Sequence, residues 1–139
     1  IADRPYFKLS TVEIDRPGPS YTVDTITELR GKSKNEDELF FIMGWDAAAR
    51  FHQWREPARI AEMCHLVIVP RPGYTLPSLE SLEALVPGLS RKMVLLDKPV
   101  VEIDATEIRK RVARGLSIHH LVPEVVDGYI KAHKLYAAE

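Results

Sequence analysis

Three stretches carry side chains whose types and spacing could do chemistry, and each follows an apolar run. In the first, Gly44-Trp45-Asp46 ends the run Leu39–Met43. A glycine there lets a ligand approach the backbone, and the Asp46 carboxylate can accept from ribose hydroxyls or cap a following helix. In the second, Arg71 stands between two prolines in "PRPGY", after Val69. An arginine in such a turn is most simply exposed and idle, but at the mouth of a sheet its guanidinium could pair with a carboxylate or phosphate. In the third, "DATEIR" follows Ile103. With Asp104 as N-cap, Glu107 falls at N3, an Asp-x-x-Glu variant of the capping box. The plain reading is a self-capped helix with Ile108 and Val112 packed and Arg109–Arg111 and Arg114 solvated. The functional reading is an anion seat of free amides and helix dipole, with the Thr106 hydroxyl and the Arg109 fork added.

Other candidates have simpler readings. Trp54 lies eight positions beyond Asp46; such a tryptophan usually packs, although its flat face suits an aromatic-ring substrate. Ser20, Thr22 and Thr25 in "GPSYTVDT" read as helix caps, with Ser20 or Thr22 at the cap itself. The histidines make no HxxH or HxGH spacing, so no protein metal site is expected. No Ser/His/Asp set can be assembled from spacing. Cys64, the one cysteine, sits in the apolar "MCHLVIVP" and reads as a small buried residue; it excludes an internal disulfide and fits a reducing compartment.

The elements that must position these residues alternate. Phe7–Ile14 is rich in β-branched and aromatic residues and predicts a strand, broken by "DRPGPS". Val23–Arg30 spaces Val23, Ile26 and Leu29 along one helix face. Leu39–Met43 is wholly apolar and predicts a strand buried on both sides. Ala47–Phe51 and Pro57–Met63 are helical in composition, Pro57 standing at a helix start. His65–Val69 is a second buried strand, Ser78–Leu85 a short helix, and Lys92–Leu96 a third strand. Val100–Ile103 adds a short strand, and a helix from about Glu124 to Lys134 closes the chain. Continuous apolar strands alternating with helices predict an α/β fold, Rossmann-like, with a mainly parallel sheet. Such sheets bind ligands beyond the carboxyl ends of their strands, where all three opening stretches fall.

With 139 residues and 45% hydrophobic content, the chain suits one globular domain, residues 1–139. Its net charge of −1 means that any anion site must be built locally. No apolar stretch is long enough for a membrane span. A basic stripe with interleaved aromatics is lacking, so nucleic acid is not an expected partner.

Taken together, "RPGPSYTVDT", "FIMGWDA", "FHQW", "HLVIVPRPGY", "IDATEIRKRV" and "LVPEVVDGYIKAHKLY" resemble nicotinate-nucleotide adenylyltransferase, in order and spacing from Asp15 to Tyr136. The resemblance implies cytoplasmic adenylyl transfer from ATP, as its Mg²⁺ complex, to nicotinate mononucleotide, without a covalent enzyme intermediate. It leaves self-association open. On this chain it places Trp54 against the nicotinate ring, with Thr22 and Arg71 near the pyridine nucleotide. Backbone amides around Trp54 and Arg55 would take the ring carboxylate. Gly44, Asp46 and Ile103 would meet adenosine or ribose, while Thr106 and Arg109 would hold the triphosphate, Arg109 stabilising the developing charge.

Two departures stand out. Asp104 occupies a position where the family usually has serine, bringing a carboxylate to the phosphate seat. The family's opening Gly-x-Phe-Asp-Pro-x-His-x-Gly-His loop has no counterpart in these residues, so the expectation is the C-terminal two-thirds of the fold, inactive alone. Related nicotinamide-mononucleotide or pantetheine-phosphate adenylyltransferases, and a non-catalytic nucleotide-binding module, are the alternatives.

Overall fold

The computed structural model describes residues 4–75, 78–98, 100 and 102–137. They fall into two compact units, Ile1–Val100 and Val101–Glu139. The first unit is built on three parallel strands, β1 (Phe40–Gly44), β2 (His65–Val69) and β3 (Met93–Leu95), in the order β1-β2-β3. Helices α1 (Thr22–Lys32), α2 (Trp45–Ala48), α3 (Pro57–Met63) and α4 (Leu79–Leu85) precede or connect them. Parallel neighbours need a crossover, and α3 and α4 supply those between β1 and β2 and between β2 and β3.

Register explains the core. Phe41 lies opposite Leu66 and Met43 opposite Ile68, so these side chains share one face. Met43, Leu66 and Ile68 are buried there with Val23 and Ile26 of α1, Ile60 and Ala61 of α3, and Leu82 of α4. The other face is open: Phe40 and Ile42 are 54% and 68% exposed. The expectation that β1 is buried on both sides is therefore wrong. An apolar run fixes the strand but does not reveal that it lies at the edge of the sheet, with the core gathered on one face.

The strand expected at Phe7–Ile14 is also absent; residues 12–14 are a turn and residues 7–11 have no regular structure. The Asp15 amide donates to the Thr11 carbonyl at 2.8 Å, and the Thr11 hydroxyl to the Asp15 carboxylate at 2.6 Å. Such local side-chain bonds compete with a strand ladder. Ser20 is not a cap either, since its hydroxyl donates to the Glu13 carbonyl at 3.0 Å. Nor is Thr22: it is the first residue of α1, whose N-cap Tyr21 makes no side-chain capping bond.

The second unit contains α5 (Ala105–Ala113) and α6 (Glu124–Ala132). The strand expected at Val100–Ile103 is not formed at Val100, Glu102 or Ile103; Val101 lies outside the described residues. α5 ends in a left-handed glycine, Gly115 at φ 67°, with bonds from the Gly115 amide to Val112 and from the Leu116 amide to Arg111. Arg111 is not solvated as expected: its Nε and Nη2 both donate to the Ser117 carbonyl, at 3.0 and 2.9 Å. Among the described residues no helix is long and apolar enough to cross a membrane.

Candidate active site

In the first unit the site grows from the carboxyl end of β1. Gly44 takes an ordinary extended conformation, φ −79° and ψ 163°. Its lack of a side chain matters for another reason: a β-carbon there would lie 2.7 Å from Asp46 Oδ1. Glycine thus makes room for the Asp46 carboxylate to fold back beside the strand end. The other oxygen, Oδ2, accepts from Arg71 Nη1 at 2.7 Å. Arg71, carried by the loop after β2, also stands over the Tyr74 ring, 5.3 Å from its centroid. Parallel pairing of Gly44 with Val69 brings the two loops side by side, which is why residues 25 apart in sequence can meet.

A second feature follows α2. The chain makes a 3-10 turn, Phe51–Gln53, and delivers Trp54 against Phe51 and Phe41, with ring centroids 5.4 and 6.0 Å away. Phe51 is fully buried, so it anchors the half-buried tryptophan. Trp54, Arg55, Ser20, Tyr21, Thr22 and Ile60 line a cleft of about 130 Å³. Three of the expected substrate residues, Thr22, Trp54 and Arg55, therefore converge, whereas Arg71 is engaged with Asp46. Of the two amides expected to take a carboxylate, that of Trp54 is already bonded to the Phe51 carbonyl at 3.0 Å. The Arg55 amide has no hydrogen-bond partner among the described residues.

Two features of this cleft escape a reading of residue types. The Arg55 guanidinium sits over the Tyr21 ring, 4.7 Å from its centroid. Glu56, next in the chain, is left-handed at φ 50° and ψ 56° although it precedes Pro57. A non-glycine residue held there is strained, and such strain clusters at functional sites. A residue before proline is expected to be extended, so the Glu-Pro pair does not signal this left-handed turn.

In the second unit the start of α5 is as expected. Asp104 is the N-cap and its Oδ1 accepts from the Glu107 amide at 2.9 Å. Arg109 Nη2 donates to Thr106 Oγ1 at 3.3 Å, so these two expected phosphate residues are neighbours on one exposed turn. Ile103, just before the cap, is 44% exposed.

Cys64 is 2% exposed, and its Sγ–H donates to the Ile60 carbonyl at 3.3 Å. Burial pushes its thiol up, which suits a structural residue and not a nucleophile. Among the described residues no three His, Cys, Asp or Glu side chains form a group that could hold a metal.

Parallel strands whose carboxyl ends carry Asp46 and Arg71 have the arrangement of open α/β sheets, which bind ligands at those ends, and a cytidylyltransferase-like family model matches residues 2–111. The chain is thus a nucleotidyltransferase. It is 40% identical over 136 residues to the "Probable nicotinate-nucleotide adenylyltransferase" of Dehalococcoides mccartyi, covering 98% of this chain and 67% of the relative. Identity to the protein so named from Thermus thermophilus is 46%, with the same coverage. The chain belongs to the nicotinate-nucleotide adenylyltransferase family and spans about two-thirds of these relatives' length. Among solved structures, Plasmodium falciparum nicotinic acid mononucleotide adenylyltransferase complexed with APC has the same fold, with a TM-score of 0.66 at 20% identity, over 86% of this chain and 60% of that one. Its complex with NaAD gives 0.65 at 20% identity, over 85% of this chain and 58% of that one.

Proposed function

We propose that the protein transfers the adenylyl group of ATP to nicotinate mononucleotide, giving nicotinic acid adenine dinucleotide and pyrophosphate. The observation that carries this reading is the cleft in which Trp54, Thr22 and Arg55 converge. Its wall offers a flat ring face, a hydroxyl and a cation, the groups a pyridine carboxylate nucleotide would use. Gly44, Asp46 and Ile103 would meet adenosine or ribose, and Arg71 the mononucleotide. Residues 1–139 are read as belonging to one nucleotidyltransferase domain, in keeping with a family match that runs from 2 to 111.

A phosphate oxygen of the mononucleotide attacks the α-phosphorus of ATP; a new P–O bond forms, the bond to the bridging oxygen breaks, and pyrophosphate leaves with that electron pair. ATP enters as its complex with Mg²⁺, which is part of the substrate. The protein contributes position and charge compensation. At the start of α5 the Asp104 side chain occupies the Glu107 amide. The triphosphate would therefore rest on Thr106 Oγ1 and the Arg109 guanidinium more than on the helix amides. The water-soluble substrates and the buried free cysteine fit action in the cytoplasm.

Asp104 favours a second reading, a nucleotide-binding module without turnover. Incubating the protein, as its gene encodes it, with Mg²⁺-ATP and nicotinate mononucleotide separates the two. Dinucleotide and pyrophosphate in equal amounts support the enzyme; tryptophan fluorescence quenching that is lost in Trp54→Phe, without any product, supports the module. Neither quenching nor product from a folded sample defeats both.

A further inference from the structure

The cleft holds a charged group whose hydrogen-bonding capacity is unspent. The Arg55 side chain is 55% exposed, and among the described residues its one ionic neighbour, Glu56, is 3.9 Å from Nε, beyond hydrogen-bond reach. No hydrogen bond is made by its guanidinium among the described residues. What holds it is the Tyr21 ring, 4.7 Å away. Tyr21 is the N-cap residue of α1, which sets its backbone, and both residues line the cleft with Trp54. A cation held over an aromatic face keeps its N–H groups available to a second partner, and a guanidinium matches a carboxylate in two-point geometry.

The backbone cannot supply all of that recognition, because the Trp54 amide is bonded to Phe51. The carboxylate of a ring stacked on Trp54 would meet the remaining Arg55 amide and the Arg55 side chain. An amide substituent carries no charge and offers its own N–H groups, which a guanidinium cannot accept.

We propose that Tyr21 is a positioning residue for substrate choice: it holds the Arg55 guanidinium at the cleft wall, where Arg55 favours a pyridine carboxylate over a pyridine carboxamide. This rests on the adenylyl-transfer reading above and extends it to a residue with no assigned role.

The test compares kcat and KM for nicotinate and nicotinamide mononucleotides in the parent protein and in Arg55→Gln, Tyr21→Leu and Tyr21→Phe variants. Arg55→Gln should cut the preference for the acid by about tenfold or more, through KM for the acid alone. Tyr21→Leu should shift it the same way by about two- to fivefold, and Tyr21→Phe should restore it, since the ring and not the hydroxyl holds the cation. Unchanged preference in Tyr21→Leu, equal losses for both nucleotides, or a Phe variant as impaired as Leu would each overturn the proposal. If the parent forms no dinucleotide from either nucleotide, it is the adenylyl-transfer reading that fails. The same acid-over-amide ratio, measured as Kd by calorimetry, still decides the role of Tyr21.

Discussion

Asp46 and Arg71 are joined at 2.7 Å, Oδ2 to Nη1, so a residue proposed for the ATP side and one proposed for the mononucleotide side hold each other. Their side chains are 18% and 45% exposed, which limits the ion pair's worth through solvent screening. A double-mutant cycle with Asp46→Asn and Arg71→Ala, read by urea denaturation, should give a coupling of about 0.5 kcal/mol. It should shrink further in molar salt. Zero coupling at low salt would show that the pair does not persist in solution.

Gly44→Ala should act on that pair and not on the strand. The backbone at Gly44 suits any residue, and the added carbon would meet only the end of the Asp46 side chain, at 2.7 Å. Stability should fall by about 1 kcal/mol or less, since a side-chain end can swing away. The Asp46–Arg71 coupling should vanish in the Gly44→Ala background, and KM for ATP should rise. An undiminished coupling would mean that Asp46 needs no such room.

Trp54 has a packing role and a proposed binding role, and two substitutions separate them. Trp54→Ala removes contacts with Phe41 and Phe51 and should cost about 2 kcal/mol, less than a fully buried tryptophan. Trp54→Phe should recover most of that stability. Loss of the ring in Trp54→Ala should weaken nicotinate mononucleotide binding about five- to tenfold, measured by calorimetry on folded protein. Unchanged affinity would remove Trp54 from the binding site.

The parts of this structure that were legible in the sequence are the local ones. His65–Val69 is a strand with the expected bounds because its β-branched run is closed by "PRPG". Pro57 starts α3, and Asp104 caps α5 with Glu107 at N3, because caps depend on neighbours one to three residues away. What stayed hidden depends on partners far along the chain. The open face of β1 follows from its place in the sheet, and Asp46–Arg71 from parallel register. Tyr21–Arg55 requires the α1 start to meet the turn before α3. Side-chain type gave the chemical possibilities at each position without saying which residue would face which.

Arg109 is exposed, and among the described residues its one hydrogen-bond partner is Thr106 Oγ1 at 3.3 Å. Arg109→Ala should therefore change stability by no more than about 0.5 kcal/mol. If the guanidinium stabilises charge developing on the phosphates, kcat should nevertheless fall by about 10²- to 10³-fold. Arg109→Lys should recover only part, since it restores charge without the planar fork. Initial rates of pyrophosphate release at saturating substrates decide this; an intact kcat would rule the electrostatic role out.

Glu83 makes the acid stability of the first unit measurable. Its carboxylate leaves α4 to accept from the Ser90 amide at 2.8 Å and the Gly88 amide at 2.6 Å, closing the turn before β3. These bonds, that from Ser90 foremost, favour the ionised form and hold the Glu83 carboxyl below its ordinary value of 4.5. The folded state thus binds this proton less readily than the unfolded chain does. The resulting stabilisation is present above pH 4.5 and disappears as pH falls through the lower folded value. Glu83→Gln should lower Tm at neutral pH, and the two Tm curves should converge as the solution is acidified below that range. Parallel Tm curves for parent and variant between about pH 7 and about pH 3 would show that the Glu83 bonds contribute through packing alone.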